Sequence, residues 1–565
     1  MERNRRAALC GAALLGISAF LVYIPSLWNG FVNWDDPSYV YKNPRLGGFD
    51  LVWIFTARVV GNWHPLTLLS FDLDHLIWGL DPFGFHLTNS VIHSFNTFLV
   101  GALSYRVALS VYGGKLDART CLVFVSVPAM LFGLHPLHVE SVAWISERKD
   151  VLSSFFVLLS LVLYFLYAEG RLKRLWYSAI LASFALALMS KPMAVTVPLL
   201  FLVLDFFPLE RIRGLGSLPG LIIEKLPFFA MSAGISFVTL WAQKEAGAVD
   251  GGALFVPQAA TAFRAVVFYV YKTIAPAGLA PYYPVDFDTG ISTLILYGAA
   301  VTALTLLALY LLKWSRGPLA AWLFYIAALL PVSGMIKFGE QAAADRYAYL
   351  PTVALFVLAG GAVSSLSRKS RLAIPAVAAV MVSAGAVMAY ATVLQAAVWK
   401  GSLTLWSHEL KHYPGVAIAH INRGIANGEL GRYDDALTDF SNAVRLNPEE
   451  PKAYYNRARA LSLIGRDQES IADLTVAIGL NPSYEEAYLA RGVAYASRAE
   501  YGRAISDFKK VIDLRPDNLS ALFNIGLAYM RAGDKDGAAF YFKAAAERGS
   551  REAASYLTVG QHSSP

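Results

Sequence analysis

Long apolar runs separated by shorter polar loops fill the first two thirds of the chain. An α-helix needs about 20 mainly apolar residues to cross a bilayer. A stretch at 258–276 is predicted as an interfacial or re-entrant helix, because the following loop carries Asp286 and Asp288 but no Lys or Arg. The pattern otherwise predicts about eleven membrane-spanning helices, at 8–28, 85–106, 120–136, 151–168, 175–190, 192–207, 226–242, 291–312, 318–336, 347–366 and 373–396.

The charges in the loops orient these helices. If the N-terminus is cytoplasmic, every inner loop is short and basic, whereas the outer loops are longer and mix acidic residues with histidines. This is the positive-inside pattern. The first run is long enough to span and no Ala-x-Ala site follows it, so it is interpreted as a first span rather than a cleaved signal peptide. An odd number of spans places the C-terminal region on the outer side.

The composition indicates a membrane protein, and the composition and motifs argue against several other classes of protein. Only 16% of the residues are charged, against about 25% in soluble domains. The net charge of +7 is attributed to the inner loops, so no nucleic-acid partner is expected. The two cysteines cannot build a disulfide framework or a metal cluster. Walker A, Rossmann, His-Glu-x-x-His and nucleophile-elbow motifs are absent from the sequence, which argues against nucleotide hydrolysis and zinc proteolysis.

The C-terminal region repeats with the period of tetratricopeptide helix pairs. Asn447-Pro448, Asn481-Pro482 and Arg515-Pro516 recur at about 34 residues, the length of that repeat. Such arrays form a concave surface for a peptide or protein; the alternative is that they pack on the membrane domain or pair subunits. The prediction is an all-α chain with a membrane domain (1–398), a linker or capping helix (399–416) and four repeats (417–565).

Candidate chemistry begins just after the first span. Asp35 and Asp36 are adjacent carboxylates at the membrane surface. One can be held ionised by a nearby cation, or its pKa can be raised, and either suits a general base acting on a hydroxyl acceptor. The alternative is a turn and helix cap before Pro37.

Polar residues follow one face of the second predicted span. His86, Asn89, His93 and Asn96 are spaced three and four residues apart, so they share a helix face. A polar stripe on a span faces a cavity or the protein interior. Substrate binding and interhelical hydrogen bonding are the two roles open to it.

Several basic residues lie at the outer membrane surface, although the positive-inside pattern places most Lys and Arg in the inner loops. Arg and Lys bind phosphate oxygens well, so a lipid-linked phosphate at headgroup depth would explain them. The alternative is that each cation pairs with a local acid, such as Asp150 or Asp345, and only orders a loop. These basic residues are Arg148, Lys149, Lys191, Lys337 and Arg346.

Taken in order, these motifs resemble the GT-C glycosyltransferases, and within them the transmembrane, tetratricopeptide-repeat-containing O-mannosyltransferases and their bacterial relatives. The resemblance covers nearly the whole chain. It rests on Trp34-Asp35-Asp36, His64-Pro65-Leu66-Thr67, Phe85-His86-Leu87-Thr88-Asn89 with His93, His135-Pro136-Leu137-His138-Val139-Glu140-Ser141-Val142-Ala143-Trp144, Arg148-Lys149-Asp150, Lys191-Pro192 and Asp345-Arg346-Tyr347.

The resemblance implies an enzyme that transfers a sugar, usually mannose, from a polyprenyl phosphate to Ser or Thr hydroxyls, with the repeats engaging the acceptor protein. Asp35 and Asp36 would act as base and acceptor site, with Glu140 as a second acidic residue. Further residues implied at the substrate site are His64, His86, Asn89, His93, His138, Arg148, Lys149, Lys191, Arg346 and Tyr347.

Several alternatives stay open at this stage. A divalent cation, Mg²⁺ or Mn²⁺, could be held by the two aspartates with Glu140 and His138. The chain could instead be a lipid-linked glycan ligase or polymerase, a membrane-anchored repeat scaffold, or a transporter. The outer compartment that holds the site and the repeats is the periplasm in a Gram-negative bacterium or the lumen in a eukaryote, and the compact chain favours a bacterial inner membrane.

Overall fold

The computed structural model describes residues 2–245, 255–284, 290–335, 341–369 and 373–561. The regular secondary structure of these residues is helical apart from one two-stranded ribbon, which confirms the all-α prediction. Asp286, Asp288 and Lys337 lie outside the described residues. The chain divides into two compact units, Met1–His412 and Tyr413–Pro565. The division falls within the segment 399–416 predicted as a linker.

The described part of the first unit contains sixteen α-helices and the ribbon. The helices are α1 (Glu2–Tyr23), α2 (Leu51–Thr56), α3 (Pro65–Trp78), α4 (Pro82–Tyr112), α5 (Ala118–Leu134), α6 (Val139–Ala143), α7 (Arg148–Ala168), α8 (Lys173–Ser190), α9 (Val197–Phe206), α10 (Leu218–Glu245), α11 (Phe255–Ile274), α12 (Ile291–Tyr310), α13 (Gly317–Leu329), α14 (Thr352–Lys369), α15 (Ala373–Val398) and α16 (Ser402–His412). Strands β1 (Tyr283–Pro284) and β2 (Gln341–Ala343) pair antiparallel.

Short helical turns connect several of these elements. One is a π-helical turn, Pro37–Tyr41, directly after the two candidate aspartates. The others are 3₁₀ turns at Ile24–Trp28, Gly113–Lys115, Pro136–His138, Ile145–Glu147, Pro192–Thr196, Leu215–Ser217, Leu311–Lys313, Leu330–Val332 and Asp345–Ala348.

Each of the eleven apolar runs coincides with a helix, but fewer helices are both long and apolar enough to cross a membrane. Among the described residues five qualify: Arg5–Trp28, Ile145–Ala168, Leu215–Glu245, Ile291–Lys313 and Pro375–Val398. The pair α5–α6, bent by 52°, makes a sixth if counted as one span. Pro192–Phe206, Gly317–Val332 and Thr352–Arg368 are apolar but shorter.

The two remaining runs lie in α4 and α8, and polar residues explain why these helices do not qualify. α4 is 31 residues long but carries the stripe of His and Asn residues, and α8 begins with Lys173 and Arg174. The predicted count of about eleven is therefore higher than the five or six helices that meet both criteria. α11, which covers the 258–276 stretch, is also not among them, and its interfacial placement stays a prediction.

The segment between α1 and α4 has a small hydrophobic core of its own. Tyr39, Ile54, Phe71 and Phe85 are fully buried together in it. Ile145, which begins the turn before α7, belongs to the same cluster. This core fixes the polypeptide on either side of the two aspartates against the start of α7.

The second unit consists of four antiparallel helix pairs and a last helix, which confirms the repeat prediction. The first helices of the pairs are α17 (Ala417–Glu429), α19 (Pro451–Leu463), α21 (Glu485–Ser497) and α23 (Leu519–Arg531). The second helices are α18 (Tyr433–Leu446), α20 (Asp467–Leu480), α22 (Tyr501–Leu514) and α24 (Lys535–Glu547), and α25 (Arg551–Gln561) follows.

A close helix–helix approach explains one repeating position. In three repeats a glycine faces a phenylalanine, and a Cβ atom on the glycine would lie 2.5–2.6 Å from the ring: Gly424 with Phe440, Gly492 with Phe508, and Gly526 with Phe542. In the second repeat both residues change together, to Ala458 and Leu474, which are buried in one cluster. The larger residue on one helix thus accompanies the smaller side chain on the other.

This pairing predicts a compensating double substitution. Leu474→Phe alone is expected to destabilise the second unit by about 1–3 kcal/mol, because the ring would overlap the Ala458 methyl group. Adding Ala458→Gly should recover most of that loss by recreating the Gly–Phe pair of the other repeats. Urea-dependent proteolysis of the repeats in the purified chain measures both; a double variant no more stable than Leu474→Phe would contradict the pairing.

Candidate active site

The Asp36 carboxylate is a buried anchor for the loop after α1. One oxygen accepts hydrogen bonds from Trp144 Nε1 at 3.0 Å, from the Ser146 amide at 3.1 Å and from the Ser146 hydroxyl. The other accepts from the Val32 amide at 2.9 Å. Burial raises the pKa of Asp36 to about 6, although these donors favour the charged form. Asp36 therefore holds residues 29–36, the aspartate loop, against the segment that precedes α7.

Asp35 has the opposite environment. Its side chain is 20% exposed, and its carboxylate lies 3.5 Å from Lys149 Nζ. Asp35 and Asp36 were predicted as a functional pair, and the fold separates them: one carboxylate is saturated with donors and the other stays accessible beside a cation.

The buried carboxylate of Glu147 contacts three cations, two of them from distant parts of the chain. Lys149 Nζ lies 3.0 Å from Glu147 Oε1, and Lys191 Nζ lies 3.3 Å from Oε2. Arg346 Nε is 3.4 Å from Oε1. Lys191 also contacts Asp150. We call Asp35, Glu140, Glu147, Lys149, Asp150, Lys191 and Arg346 the ion cluster.

Glu140 joins this cluster through Arg346. Its Oε2 atom accepts the Arg346 amide at 3.0 Å, and its Oε1 atom contacts the guanidinium. Tyr347 lies beside the same guanidinium, with 5.0 Å from the ring centroid to Arg346 Cζ and 6.0 Å to Lys191 Nζ. Glu140, Lys149, Lys191, Arg346 and Tyr347 therefore belong to one network of contacts, which Asp35 joins through Lys149. Their roles at a substrate site stay predictions.

Arg148 lies apart from the ion cluster. It is fully buried, with Nη2 2.6 Å from Asp74 and 2.9 Å from the Phe85 carbonyl. Its remaining donors contact Ser70 and Asn89. This arginine joins α3, α4 and α7, and its donors are taken by protein acceptors rather than presented to a phosphate.

The polar stripe on α4 makes interhelical hydrogen bonds. Asn89 donates to the Val142 and Trp144 carbonyls at 3.2 and 3.1 Å. His93 bonds the Tyr349 hydroxyl at 2.7 Å and the Gly133 carbonyl at 3.1 Å. This geometry matches the alternative in which the stripe packs helices together.

The remaining predicted histidines are also buried. His86 is 1% exposed. His138 bonds the Phe132 carbonyl at 2.8 Å and the Thr352 hydroxyl at 3.1 Å. His64, which precedes α3, bonds the Tyr39 hydroxyl at 2.8 Å. Burial, reinforced by Lys149 and Lys191, lowers the pKa of His64 to about 3, so this histidine is neutral at physiological pH.

The predicted divalent-cation ligands do not converge. Glu140 is occupied by Arg346, and His138 is held by Phe132 and Thr352. In the part of the chain that the structure describes, no group of three or more His, Cys, Asp or Glu side chains could hold a metal ion. The arrangement is a network of ion pairs, in which Lys149, Lys191 and Arg346 each contact carboxylates of the protein.

Sequence reasoning missed Glu147 as the centre of the cluster and missed an aromatic stack beside it. Trp34 stacks on Trp144 with centroids 4.6 Å apart, and Trp144 stacks on Trp399 at 5.3 Å. Trp406 of α16 lies 5.2 Å from Trp34. We call these four residues the tryptophan stack. Tryptophan is frequent near membrane surfaces, so this signal was too common to identify them.

A buried carboxyl on α16 was also missed. Glu409 is completely buried, and one of its oxygens accepts the Tyr282 amide at 3.0 Å. Its other oxygen has no hydrogen-bond partner among the described residues. Burial raises the pKa of Glu409 to about 8, so the carboxyl is mostly protonated at neutral pH.

Comparisons with known proteins identify a repeat family and a set of similar proteins. Residues 410–485 and 489–553 match the tetratricopeptide repeat family model. Protein O-mannosyl-transferase Tmtc1 of Drosophila melanogaster is 33% identical over 205 residues, which cover 34% of this chain and 22% of the relative. Protein O-mannosyl-transferase tmtc2 of Xenopus laevis is 32% identical over 180 residues, covering 31% and 20%. The chain is similar to TMTC-type protein O-mannosyl-transferases.

The match covers about a fifth of the length of these relatives. Protein O-mannosyl-transferase TMTC1 of Homo sapiens is 34% identical over 165 residues, 27% of this chain and 18% of the relative. Among solved structures, the crystal structure of MamA protein matches 27% of this chain and 84% of its own, with 32% identity and a TM-score of 0.25. The similarity to O-mannosyl-transferases that the sequence motifs predicted is confirmed over about a third of this chain.

The role of Arg148 can be tested by stability. Arg148→Met leaves the Asp74 carboxylate buried without its cation, so the variant should lose about 3–5 kcal/mol. Arg148→Met with Asp74→Asn should recover part of that loss. The thermal midpoint in detergent measures both. Arg106→Met is the control, because its partner Glu169 is 51% exposed and surface pairs contribute little; equal losses in both single variants would contradict the assignment.

Glu409 predicts a pH-dependent stability difference. Between its ordinary pKa of 4.5 and the raised value of about 8, the folded protein binds a proton that the unfolded chain releases. The free energy of unfolding therefore falls as pH rises through this window. Glu409→Gln removes the effect, so its thermal midpoint should exceed the wild-type midpoint most at pH 8 and least at pH 5. A pH-independent difference would contradict the raised pKa.

Proposed function

We propose that this chain is a membrane glycosyltransferase that transfers a sugar from a polyprenyl-phosphate carrier to Ser or Thr hydroxyls of exported proteins. The similarity to protein O-mannosyl-transferases supports the reaction class and favours mannose. The observation that carries the proposal is the partly exposed Asp35 carboxylate beside Lys149, one of three cations clustered on Glu147. A carboxylate base and a cationic phosphate site are what this transfer requires.

Asp35 serves as the general base. It removes the proton of the acceptor hydroxyl as that oxygen attacks the anomeric carbon of the sugar. The bond from the anomeric carbon to the phosphate oxygen breaks, the electron pair leaves with the lipid phosphate, and the configuration at carbon inverts. The ion pair with Lys149, whose Nζ atom is 3.5 Å away, holds the Asp35 carboxylate in place before the reaction.

Lys149, Lys191 and Arg346 bind the carrier phosphate. Each has a side chain 9–11% exposed, so a phosphate can reach the edge of each charge. Their carboxylate partners hold the cations in place while the site is empty. Phosphate oxygens then replace a carboxylate oxygen on one or two cations, which exchanges one ion pair for another and stabilises the leaving group.

The site lies at the outer, periplasmic surface of a bacterial inner membrane in this proposal. A lipid phosphate leaving group needs no nucleotide, which suits a compartment outside the cytoplasm. The repeats bind the acceptor protein, the role that such arrays commonly have, and their match to the tetratricopeptide family model supports this assignment.

The decisive test compares two adjacent aspartates. Wild type, Asp35→Asn and Asp36→Asn are assayed for transfer of radiolabelled mannose from synthetic polyprenyl-phosphate mannose to acceptor proteins. Asp35→Asn should lower transfer by about 10²-fold or more, because the base is lost, without changing the thermal midpoint. Asp36→Asn should lower the midpoint, because an amide cannot accept from all four donors of the carboxylate.

Other outcomes would revise the proposal. Full transfer by Asp35→Asn would remove the base assignment, and loss confined to a stable Asp36→Asn would move the base to Asp36. Labelling of a glycan instead of a protein would identify a ligase or polymerase. Failure of wild type with mannose and other lipid-linked sugars would favour a scaffold.

A further inference from the structure

Helix α16 lies between the last long apolar helix and the repeats. It follows the last long apolar helix, α15, and only residues 413–416 separate it from the first repeat helix, α17. It nevertheless belongs to the first unit, which extends to His412. Its contacts show what it does there.

The start of α16 is bound to the aspartate loop. The Asn33 amide donates to the Ser402 hydroxyl at 2.9 Å, and Trp406 Nε1 donates to Asn33 Oδ1 at 2.7 Å. Just before the helix, the Lys400 carbonyl accepts the Gly30 amide at 2.9 Å. Asn33 is two residues from Asp35, so these bonds fix the backbone that carries the candidate base.

The end of α16 is bound to a second segment of the site. Glu409 accepts the Tyr282 amide at 3.0 Å, and His408 Nε2 donates to the Leu279 carbonyl at 2.9 Å. The next residue, Tyr283, pairs with Ala343 in the ribbon, and its hydroxyl donates to Asp345 at 2.8 Å. Asp345 adjoins Arg346, so this segment supports the loop that carries the candidate phosphate ligand.

One eleven-residue helix thus contacts the aspartate loop directly and is linked to the loop that carries Arg346 through residues 279–284. Catalytic groups must be held within about half an ångström of their working geometry by the residues behind them. A helix bonded to the aspartate loop and to residues 279–284 meets that requirement, because it joins the supports of both candidate groups.

We infer that α16 positions Asp35 relative to Arg346, with Trp406 and Glu409 as its positioning residues. This inference rests on the proposed function for its effect on turnover, but the mechanical link between the two loops can be measured without activity. The helix transmits to one loop any displacement of the other.

Hydrogen exchange of the full-length protein in detergent tests the link. Glu409→Ala removes the acceptor of the Tyr282 amide, whereas Glu409→Gln keeps an oxygen in its place. Glu409→Ala should speed exchange about tenfold both at residues 279–284 and at the distant aspartate loop, the local opening equilibrium shifting by that factor. Glu409→Gln should exchange like wild type. Faster exchange confined to 279–284 would overturn the inference.

Turnover gives the second test. Trp406→Phe keeps the aromatic contact with Trp34 but loses the bond to Asn33. It should lower kcat about tenfold, since small misplacements of reacting groups are costly, with the KM for polyprenyl-phosphate mannose near wild type. Ser407→Ala, at an exposed position of the same helix, is the matched control.

The outcomes separate this inference from the proposed function. Unchanged kcat in Trp406→Phe and Glu409→Ala, in an active wild type, would overturn the positioning role. A parallel fall of kcat, donor affinity and thermal midpoint in Glu409→Ala and Glu409→Gln alike would also overturn it, by showing a general packing role. A wild-type protein that is inactive in the transfer assay would contradict the proposed function. The hydrogen-exchange experiment would still decide whether α16 links the two loops.

Discussion

The candidate site depends on one buried carboxylate. Glu147 contacts Lys149, two residues further along the chain, and two cations from distant parts of the sequence, Lys191 and Arg346. A buried charge without partners is costly, and so is each cation that would be left behind. The turn before α7, the turn after α8 and the loop before α14 therefore have to meet at this point.

The two aspartates show how burial divides the roles of neighbouring residues. Asp36 points into the protein and accepts four hydrogen bonds, so its charge organises backbone and side chains. Asp35 stays partly exposed next to Lys149. Because the loop packs one side against the protein, neighbouring side chains point alternately inward and outward. Only Asp35 of the two aspartates is therefore accessible to a substrate.

Much of this fold and part of this site follow from local sequence properties. Apolar length identifies helices, and a 34-residue period identifies helix pairs, because both signals lie within one or two elements. The cations at 149, 191 and 346 are visible in the same way, since a charge beside an apolar run is costly and stands out. Asp150 could be named as a partner of a nearby cation, but Glu147 drew no such attention, because an acid in an outer loop is unremarkable until its partners are known.

The sequence by itself determined that the chain is helical, that it carries membrane-compatible helices followed by repeats, and which short motifs hold charge. Only the tertiary structure decided which charged residues meet, such as Arg148 with Asp74 and Lys191 with Glu147. It also decided that α16 contacts the aspartate loop. Helix formation and membrane insertion are governed by neighbours along the chain, whereas ion pairing depends on which distant elements pack together. Such contacts leave no periodic signature in one sequence.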